Sequence, residues 1–344
     1  MKIFKWCIVL LCLTMLSACS QQEVIHGPIR SPNEKTPQQI QAEFTVLLDG
    51  EEAEFDGVYV GTRPAVSLRQ AEAVFAMELQ SNVGIYLHGQ AFILLEEACR
   101  QAGAMLVQDT EKDTMYISSH AGPWQIPEGY SVPTLMYHGV SNDMWGMTEL
   151  FVMPERMEEQ FRYLVENGYT SIFFEDLQRV DEIEKPVLLT YDDGYVDNYV
   201  DLFPLVKKYG VKVNIFVVTG TVDNNPNSLT SEQIREMHAS GLVSFQSHTV
   251  THPYLMGMSR QEQEYELTRS ALELARLTDQ LPTVICYPSG SYDETTLELA
   301  KQYYKMGVDM NGNEYITGED PYQVQRYYMR RQDTLATFIQ YIQP

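Results

Sequence analysis

Apolar and polar positions follow two different rhythms along the chain. Residues 44–48 (Phe-Thr-Val-Leu-Leu) form a short apolar run that stops at Asp49-Gly50, a two-residue hairpin turn by composition. Residues 54–60 continue the hairpin, and Val66-Ser67-Leu68-Arg69 leads into a short helix that reaches Phe75. The scheme then returns, with a strand over 84–87, a helix around 94–102, a strand over 104–108, a turn at 109–113 and a strand over 114–117. Strands and helices in this mixture predict a small α+β domain over 43–119. Gly122-Pro123, Pro127 and Gly129 mark a linker over 120–131.

From residue 132 to the end at 344 the rhythm changes to short apolar runs alternating with amphipathic stretches. The runs predict strands over 133–137, 171–173, 187–191, 213–218, 243–246 and 283–287, with a further one over 305–308. Helical periodicity lies between them, over 154–167, 199–209, 231–240, 259–278 and 293–302. Such alternation implies a parallel sheet, and about seven units over this length suggest an α/β fold of deformed (β/α)7-barrel type. A doubly wound open sheet is the alternative, without a glycine-rich phosphate loop to support a nucleotide site in it.

The N-terminus changes the picture of where the chain works. Lys2 and Lys5 precede an apolar run over 8–16, too short for a mature membrane span. Leu16-Ser17-Ala18-Cys19 follows and resembles the lipobox of bacterial lipoproteins. That resemblance implies a signal peptide over 1–18, lipidation of Cys19 and attachment to the outer side of a cell membrane. An ordinary signal peptide with an incidental cysteine is the plainer reading. Residues 19–42 are polar, with Pro28, Pro32 and Pro37, and read as a flexible tether. Cys7 and Cys12 leave with the signal; Cys99 and Cys286 are too few for a disulfide framework and read as small buried apolar residues.

Charge excludes one partner class. The formal net charge is −23, from 47 Asp+Glu against 24 Lys+Arg, so no basic stripe is available to neutralise the phosphates of a nucleic acid. A neutral or cationic glycan is not repelled, though acidity also serves solubility alone.

Two stretches carry chemistry. The strand over 187–191 runs directly into Asp192-Asp193-Gly194, at the end where barrel enzymes keep their reactive groups. Alone, this is also an ordinary turn. The strand over 243–246 runs into Ser247-His248-Thr249-Val250-Thr251-His252-Pro253. Two imidazoles so spaced, with a carboxylate from another strand, can form a three-ligand metal site that leaves room for water and substrate. Two unrelated histidines near a turn are the reading of that pair by itself.

Together, LLTYDDGY and SHTVTHP resemble the first two motifs of the polysaccharide deacetylase family, the NodB homology domain of carbohydrate esterase family four. The resemblance runs over about 132–342. VPTLMYHGV and MEEQFRYLVENGYTSI resemble the opening of the branch that includes the poly-N-acetylglucosamine deacetylases, CYPSGSYDE falls at the third motif, and YMRRQDTLATFIQYI resembles that branch's ending. It implies that Asp193, His248 and His252 hold a divalent metal, most simply Zn2+, and that Asp192 is the general base. Tyr287, Pro288 and Ser289 would shape the substrate and oxyanion side, through a backbone N–H after Pro288. His138, ending the first barrel strand, is implied as the acid; a structural histidine is the other reading. Where the wider family begins its third motif with an arginine, this chain has Cys286, so Arg331 (or Arg330) is expected to pair with Asp192, an exposed arginine being the alternative. Ser289 replaces the aromatic usual after the proline, which leaves Trp145, Tyr195 and Tyr292 as candidate stacking surfaces. The stretch AFILLEEACRQAGAMLVQDTEKDTMYIS resembles the stalk-like domain shared with the N-terminal region of copper amine oxidases, a resemblance over about 44–117 that implies spacing or wall attachment; His88 within 44–117 is read as a surface or packing residue.

The expectation is therefore a lipid-anchored, metal-dependent hydrolase removing N-acetyl groups from an extracellular N-acetylglucosamine polysaccharide. Peptidoglycan, chitin oligomers or an O-acetylated glycan are alternative substrates, and a non-catalytic glycan-binding wall adaptor is the alternative role.

Overall fold

The computed structural model describes residues 39–41, 44–80, 85–87, 89–118, 124–312 and 314–343. The signal peptide, Cys19, most of the tether, His88 and Gly122-Pro123 lie outside the described residues. Residues Ile40–Pro344 form one compact unit.

Its first part is an α+β arrangement of two small sheets. Thr45–Leu48 and Glu51–Ala53 pair antiparallel across Asp49-Gly50. Those two residues take φ of 51° and 83°, the left-handed pair that a tight hairpin needs and that Asp-Gly tolerates. The strand Thr114–Ser118 lies parallel to Thr45–Leu48 and antiparallel to Met105–Asp109. In the second sheet Arg63–Ser67 pairs antiparallel with Gly57–Val60 and with Gln90–Leu94, which in turn pairs with Ile85–Leu87. Arg63–Ser67 and Gln90–Leu94 each run directly into a helix, Leu68–Phe75 and Leu95–Ala102, so the repetition seen in the sequence is a repeated strand–helix unit.

The larger part is a curled eight-stranded sheet. Its order is Met306–Val308, Val284–Cys286, Val243–Ser247, Val213–Val217, Pro186–Tyr191, Thr134–Tyr137 and Tyr327–Tyr328, with Thr170–Ile172 added beside Pro186–Tyr191. All of these pairs are parallel. Val324 bridges Val308 at one edge, and Tyr327–Tyr328 pairs with Leu135 and Met136 at the other. A single stretch near the C-terminus therefore spans the gap, and the sheet is a deformed β/α barrel and not a doubly wound open sheet. The strand Tyr327–Tyr328 was not expected from the sequence; two residues are too few to show a period.

Outer helices follow their local chemistry. Arg260–Thr278 starts at a capping box in which Ser259 accepts from the Glu262 N–H, and Asp293 with Thr296 does the same for Glu294–Tyr303. The first of these buries Leu267, Ala271, Leu274 and Ala275, and truncating such a leucine to alanine costs about 2–5 kcal/mol. The predicted helix over 199–209 begins instead as a π-helical turn, Asn198–Leu202, before the α-helix Phe203–Tyr209.

The two parts share an apolar cluster in which Met105, Val107 and Tyr116 meet Leu267, Ala271 and Tyr304. Arg276 clasps the fully buried Asp109 through Nε at 2.6 Å and Nη2 at 2.5 Å. Among the described residues no helix is long and apolar enough to cross a membrane.

Candidate active site

Strand ends assemble the site. Pro186–Tyr191 is a largely buried central strand, and the chain leaves it at Asp192, which is 3% exposed. Asp193 follows with φ of 72°, which turns its carboxylate away from that of Asp192. Val243–Ser247 ends at His248, and a tight loop returns to His252. Thr249 and His252 both take left-handed φ, 65° and 57°. The buried Glu266 holds this loop from beneath, accepting from Val250 N at 2.8 Å, Thr251 N at 3.0 Å and Thr251 Oγ1 at 2.7 Å.

Asp193 Oδ1 lies 3.6 Å from His248 Nε2 and 3.6 Å from His252 Nε2, so one carboxylate faces both imidazoles. The three donor atoms lie within 4.8 Å of one another. His248 Nδ1 is 2.9 Å from the Cys286 carbonyl, which fixes Nδ1–H as donor and leaves the Nε2 lone pair towards Asp193. Burial lowers the His248 pKa, against the pull of Asp192 and Asp193, and so favours the neutral ring that a ligand must be. Two nitrogen donors and one oxygen donor on this spacing fit a divalent transition metal with open positions.

Asp192 has a different environment. Arg326 Nη1 and Nη2 donate to its two oxygens at 2.7 and 2.8 Å, and the guanidinium is itself 1% exposed. Arg326 also donates to Thr190 Oγ1 at 2.9 Å and, through Nε, to the Asp309 carbonyl at 2.9 Å. Burial alone raises the Asp192 pKa, but Arg326, with His248 and His138, outweighs it and holds the carboxyl well below its usual range.

Arg331 does not reach Asp192, contrary to the sequence expectation. Its Nη1 donates to the carbonyls of Ser141 and Phe151 at 3.1 and 3.0 Å, tying down the segment that follows His138. Arg330 is not the partner either; it lies over the Tyr328 ring. The arginine comes from the gap-spanning stretch instead. Cys286 Sγ lies 3.1 Å from Arg326 Nη2 and 3.6 Å from Asp192 Oδ2, so this thiol shares the pocket that the guanidinium fills and is more than core packing.

His138 lines the same cavity at the end of Thr134–Tyr137, and its Nδ1 is buried without a hydrogen-bond partner among the described residues. Its backbone is clamped on both sides: Asn198 Nδ2 donates to the His138 carbonyl at 3.0 Å, and Val140 N donates to Asp197 Oδ2 at 2.8 Å. Gly139 between them has no room for a side chain, since a Cβ would sit 2.3 Å from the Phe151 ring and 2.8 Å from Asp197 Oδ2.

Tyr287 and Ser289 line the cavity, whereas Pro288 is buried behind it. Ser289 takes φ of 55° in the turn Pro288–Gly290. Tyr287 is a packing residue, its hydroxyl donating to the Tyr322 carbonyl at 3.0 Å. Tyr195 lines the cavity, and Trp145 packs edge-on against its ring at 5.9 Å. Tyr292 turns to Asp309 Oδ2 at 3.0 Å and stacks obliquely on Tyr287, off the cavity wall. The open cavity, about 550 Å3, contains Asp192, Asp193, His138, His248, His252 and Arg326 together.

A curled parallel barrel with a buried ion-paired aspartate beside an Asp–His–His set defines a hydrolase-type site. The polysaccharide deacetylase family profile matches residues 179–307. YxkH of Bacillus subtilis (strain 168), named for that family, is 36% identical over 211 residues, 60% of this chain and 71% of that protein. The chain belongs to the polysaccharide deacetylase family. A crystal structure from Bacillus anthracis, the family protein BA0330, is similar over 62% of this chain and 70% of that one, at 30% identity and a TM-score of 0.60. The poly-beta-1,6-N-acetyl-D-glucosamine N-deacetylase of Escherichia coli (strain K12) is 23% identical over 266 residues, 64% of this chain but 38% of that protein.

Proposed function

We propose that this deacetylase hydrolyses N-acetyl groups on an extracytoplasmic polysaccharide of the poly-N-acetylglucosamine kind, using a divalent metal, most simply Zn2+. The observation that carries the reading is the separation of two carboxylates, Asp193 facing the imidazoles of His248 and His252 and Asp192 paired with Arg326. Asp193, His248 and His252 would hold the metal. When bound, the ion polarises the acetamide and lowers the pKa of water from ~15.7 towards ~7.

The protein's own groups then divide the proton work. Asp192, kept ionised by Arg326, takes a proton from the attacking water; with water already acidified, a weakly basic carboxylate suffices. Water oxygen bonds to the acetamide carbon, and the C–N bond breaks. His138 supplies the proton that the departing amine needs. The backbone N–H of Ser289, presented by the turn that Tyr287 and Pro288 start, steadies the carbonyl oxygen as charge develops; losing one such donor costs roughly 3 kcal/mol of barrier. The products are acetate and a free amine on the polymer.

The reading includes attachment of the chain to the outer side of a membrane through lipidated Cys19, and a division into a small domain over 43–119 and a catalytic domain over 132–344. The E. coli relative's name supports the choice of polymer. The test is acetate release from poly-N-acetylglucosamine and from peptidoglycan, each with and without chelator. Chelator-sensitive release from the first is expected. Release from peptidoglycan alone would move the substrate, and release from neither after metal reconstitution would end the reading.

A further inference from the structure

We infer that Tyr254 is a stacking platform for the sugar next to the one being deacetylated, on an apolar rim that makes the site select polymer over single sugars. This rests on the reading above, that the substrate is an N-acetylated hexosamine chain.

Of the thirteen large apolar side chains exposed among the described residues, three line this one cavity, Met147, Tyr254 and Met310, and a fourth, Trp145, packs on Tyr195 in its wall. Single exposed apolar residues need no explanation, but a cluster around a reactive centre does. The Met144–Met147 side follows the strand Thr134–Tyr137, and Tyr254 follows Val243–Ser247; two strands, Pro186–Tyr191 and Val213–Val217, lie between them in the sheet. Asp192 and Asp193 stand at the end of the first of these two. The rim therefore flanks the reacting groups on two sides, as a chain continuing in both directions requires.

Tyr254 is 72% exposed, two residues after His252, and its hydroxyl makes no hydrogen bond among the described residues. Nothing in the fold uses the ring. The backbone that carries it is nonetheless held: Leu255 beside it is fully buried, Met256 N donates to Ser291 Oγ at 3.2 Å and Gly257 N to Asp293 Oδ2 at 3.1 Å. The loop carrying Tyr254 is thus pinned to the segment that follows Ser289. A rigid, amphipathic ring in open solvent beside the site loses little freedom on binding and offers its face to the C–H side of a pyranose. The charge of the cavity agrees with a neutral or amine-bearing chain: Glu149, Asp192 and Asp193 line it, and its one arginine, Arg326, is already paired.

The experiment compares wild type, Tyr254→Ala and Tyr254→Trp on β-linked N-acetylglucosamine oligomers of two to six sugars, measuring acetate, with metal content and thermal unfolding as controls. Wild type gains in kcat/KM with length; Tyr254→Ala loses roughly tenfold of that gain, mainly in KM, and Tyr254→Trp keeps it. An unaltered length dependence in Tyr254→Ala overturns the inference while leaving the deacetylase reading intact. Absence of acetate from every oligomer with metal-loaded wild type overturns that reading instead. A wild type that self-associates, with Tyr254→Ala monomeric, makes the rim a self-interface and also overturns the inference.

Discussion

Replacing Arg326 by methionine keeps most of the side-chain volume and removes the charge. Asp192 then stays buried without a counter-ion, since the hydrogen bonds at 2.7 and 2.8 Å both come from that one guanidinium and only the weak contact of the Cys286 thiol at 3.6 Å remains. Removing one partner of a buried ion pair costs roughly 3–5 kcal/mol. In a domain of this size that lowers the midpoint of thermal unfolding by roughly 6–20 °C. Catalysis moves in a defined direction as well. Without the cation, burial dominates and raises the Asp192 pKa, so the proposed base becomes protonated at a higher pH than in wild type. The acidic limb of the kcat/KM–pH profile should shift upward, and turnover near neutrality should fall. A second substitution tests the geometry itself: Cys286 Sγ is 3.1 Å from Arg326 Nη2, so an arginine at 286 enters the same space. Cys286→Arg combined with Arg326→Met should recover part of both the unfolding midpoint and the acidic limb. An Arg326→Met protein with wild-type midpoint and profile would refute the assignment of Arg326 as the counter-ion that keeps Asp192 ionised.

Asp192→Asn should abolish acetate release while keeping stoichiometric metal, whereas His248→Ala should lose both; metal analysis beside activity separates the two roles, and metal loss in Asp192→Asn would contradict them. Asp197 supplies a pH test of stability: burial pushes its carboxyl from 3.8 up to about 7, so the folded state holds a proton that the unfolded state releases. Stability from this group is therefore full at low pH and drains as pH rises from about 4 to about 7, on the order of 4 kcal/mol in all. Asp197→Asn should flatten that part of the unfolding free-energy profile, and an identical slope in both proteins over this window would count against it. Arg276→Met leaves the fully buried Asp109 without its counter-ion, held only by the N–H groups of Glu111 and Lys112, and should cost roughly 3 kcal/mol in urea unfolding; a change under 1 kcal/mol would mean that the pair contributes little to holding the first part of the chain on the barrel.

The strands were legible because a buried parallel strand is a nearly continuous apolar run. Val187-Leu188-Leu189-Thr190-Tyr191 and Val213 to Val217 could scarcely form anything else, and their ends differ from expectation by one residue or none. The residues of the Asp–His–His set were also legible, since each sits where such a run stops. Arg326 was not. It lies in Gln325-Arg326-Tyr327-Tyr328, a stretch without periodicity, a few residues from two other arginines. The sequence did show that an arginine had to come from elsewhere, because Cys286 stood in its expected place. Choosing among Arg326, Arg330 and Arg331 needed the register of Tyr327–Tyr328 against Leu135–Met136, which no local pattern carries. Arg331 falls past that strand and points to backbone carbonyls instead. The clamp on His138 was invisible for the same reason: Asp197 and Asn198 follow the Asp-Asp-Gly motif closely, but only the fold brings them under a residue some 60 positions earlier.

Placing the counter-ion on the gap-spanning stretch joins two requirements that are usually separate. The same few residues close the barrel, through Val324 against Val308 and Tyr327–Tyr328 against Thr134–Tyr137, and deliver the guanidinium to Asp192. Arg326 also ties the Asp309 carbonyl to this network, and the Asp309 side chain accepts from Tyr292 at 3.0 Å close to the Ser289 turn. Asp192, the barrel edge and Asp309 are therefore one hydrogen-bonded structure, and Asp309 packs against Gly290 in the turn proposed to face the developing oxyanion. A buried carboxylate without its cation is costly, so any state in which this stretch leaves the barrel also exposes or protonates Asp192. The proposed chemistry is thereby made conditional on closure: an incompletely folded barrel cannot present Asp192 as an ionised base, whatever it retains of Asp193, His248 and His252.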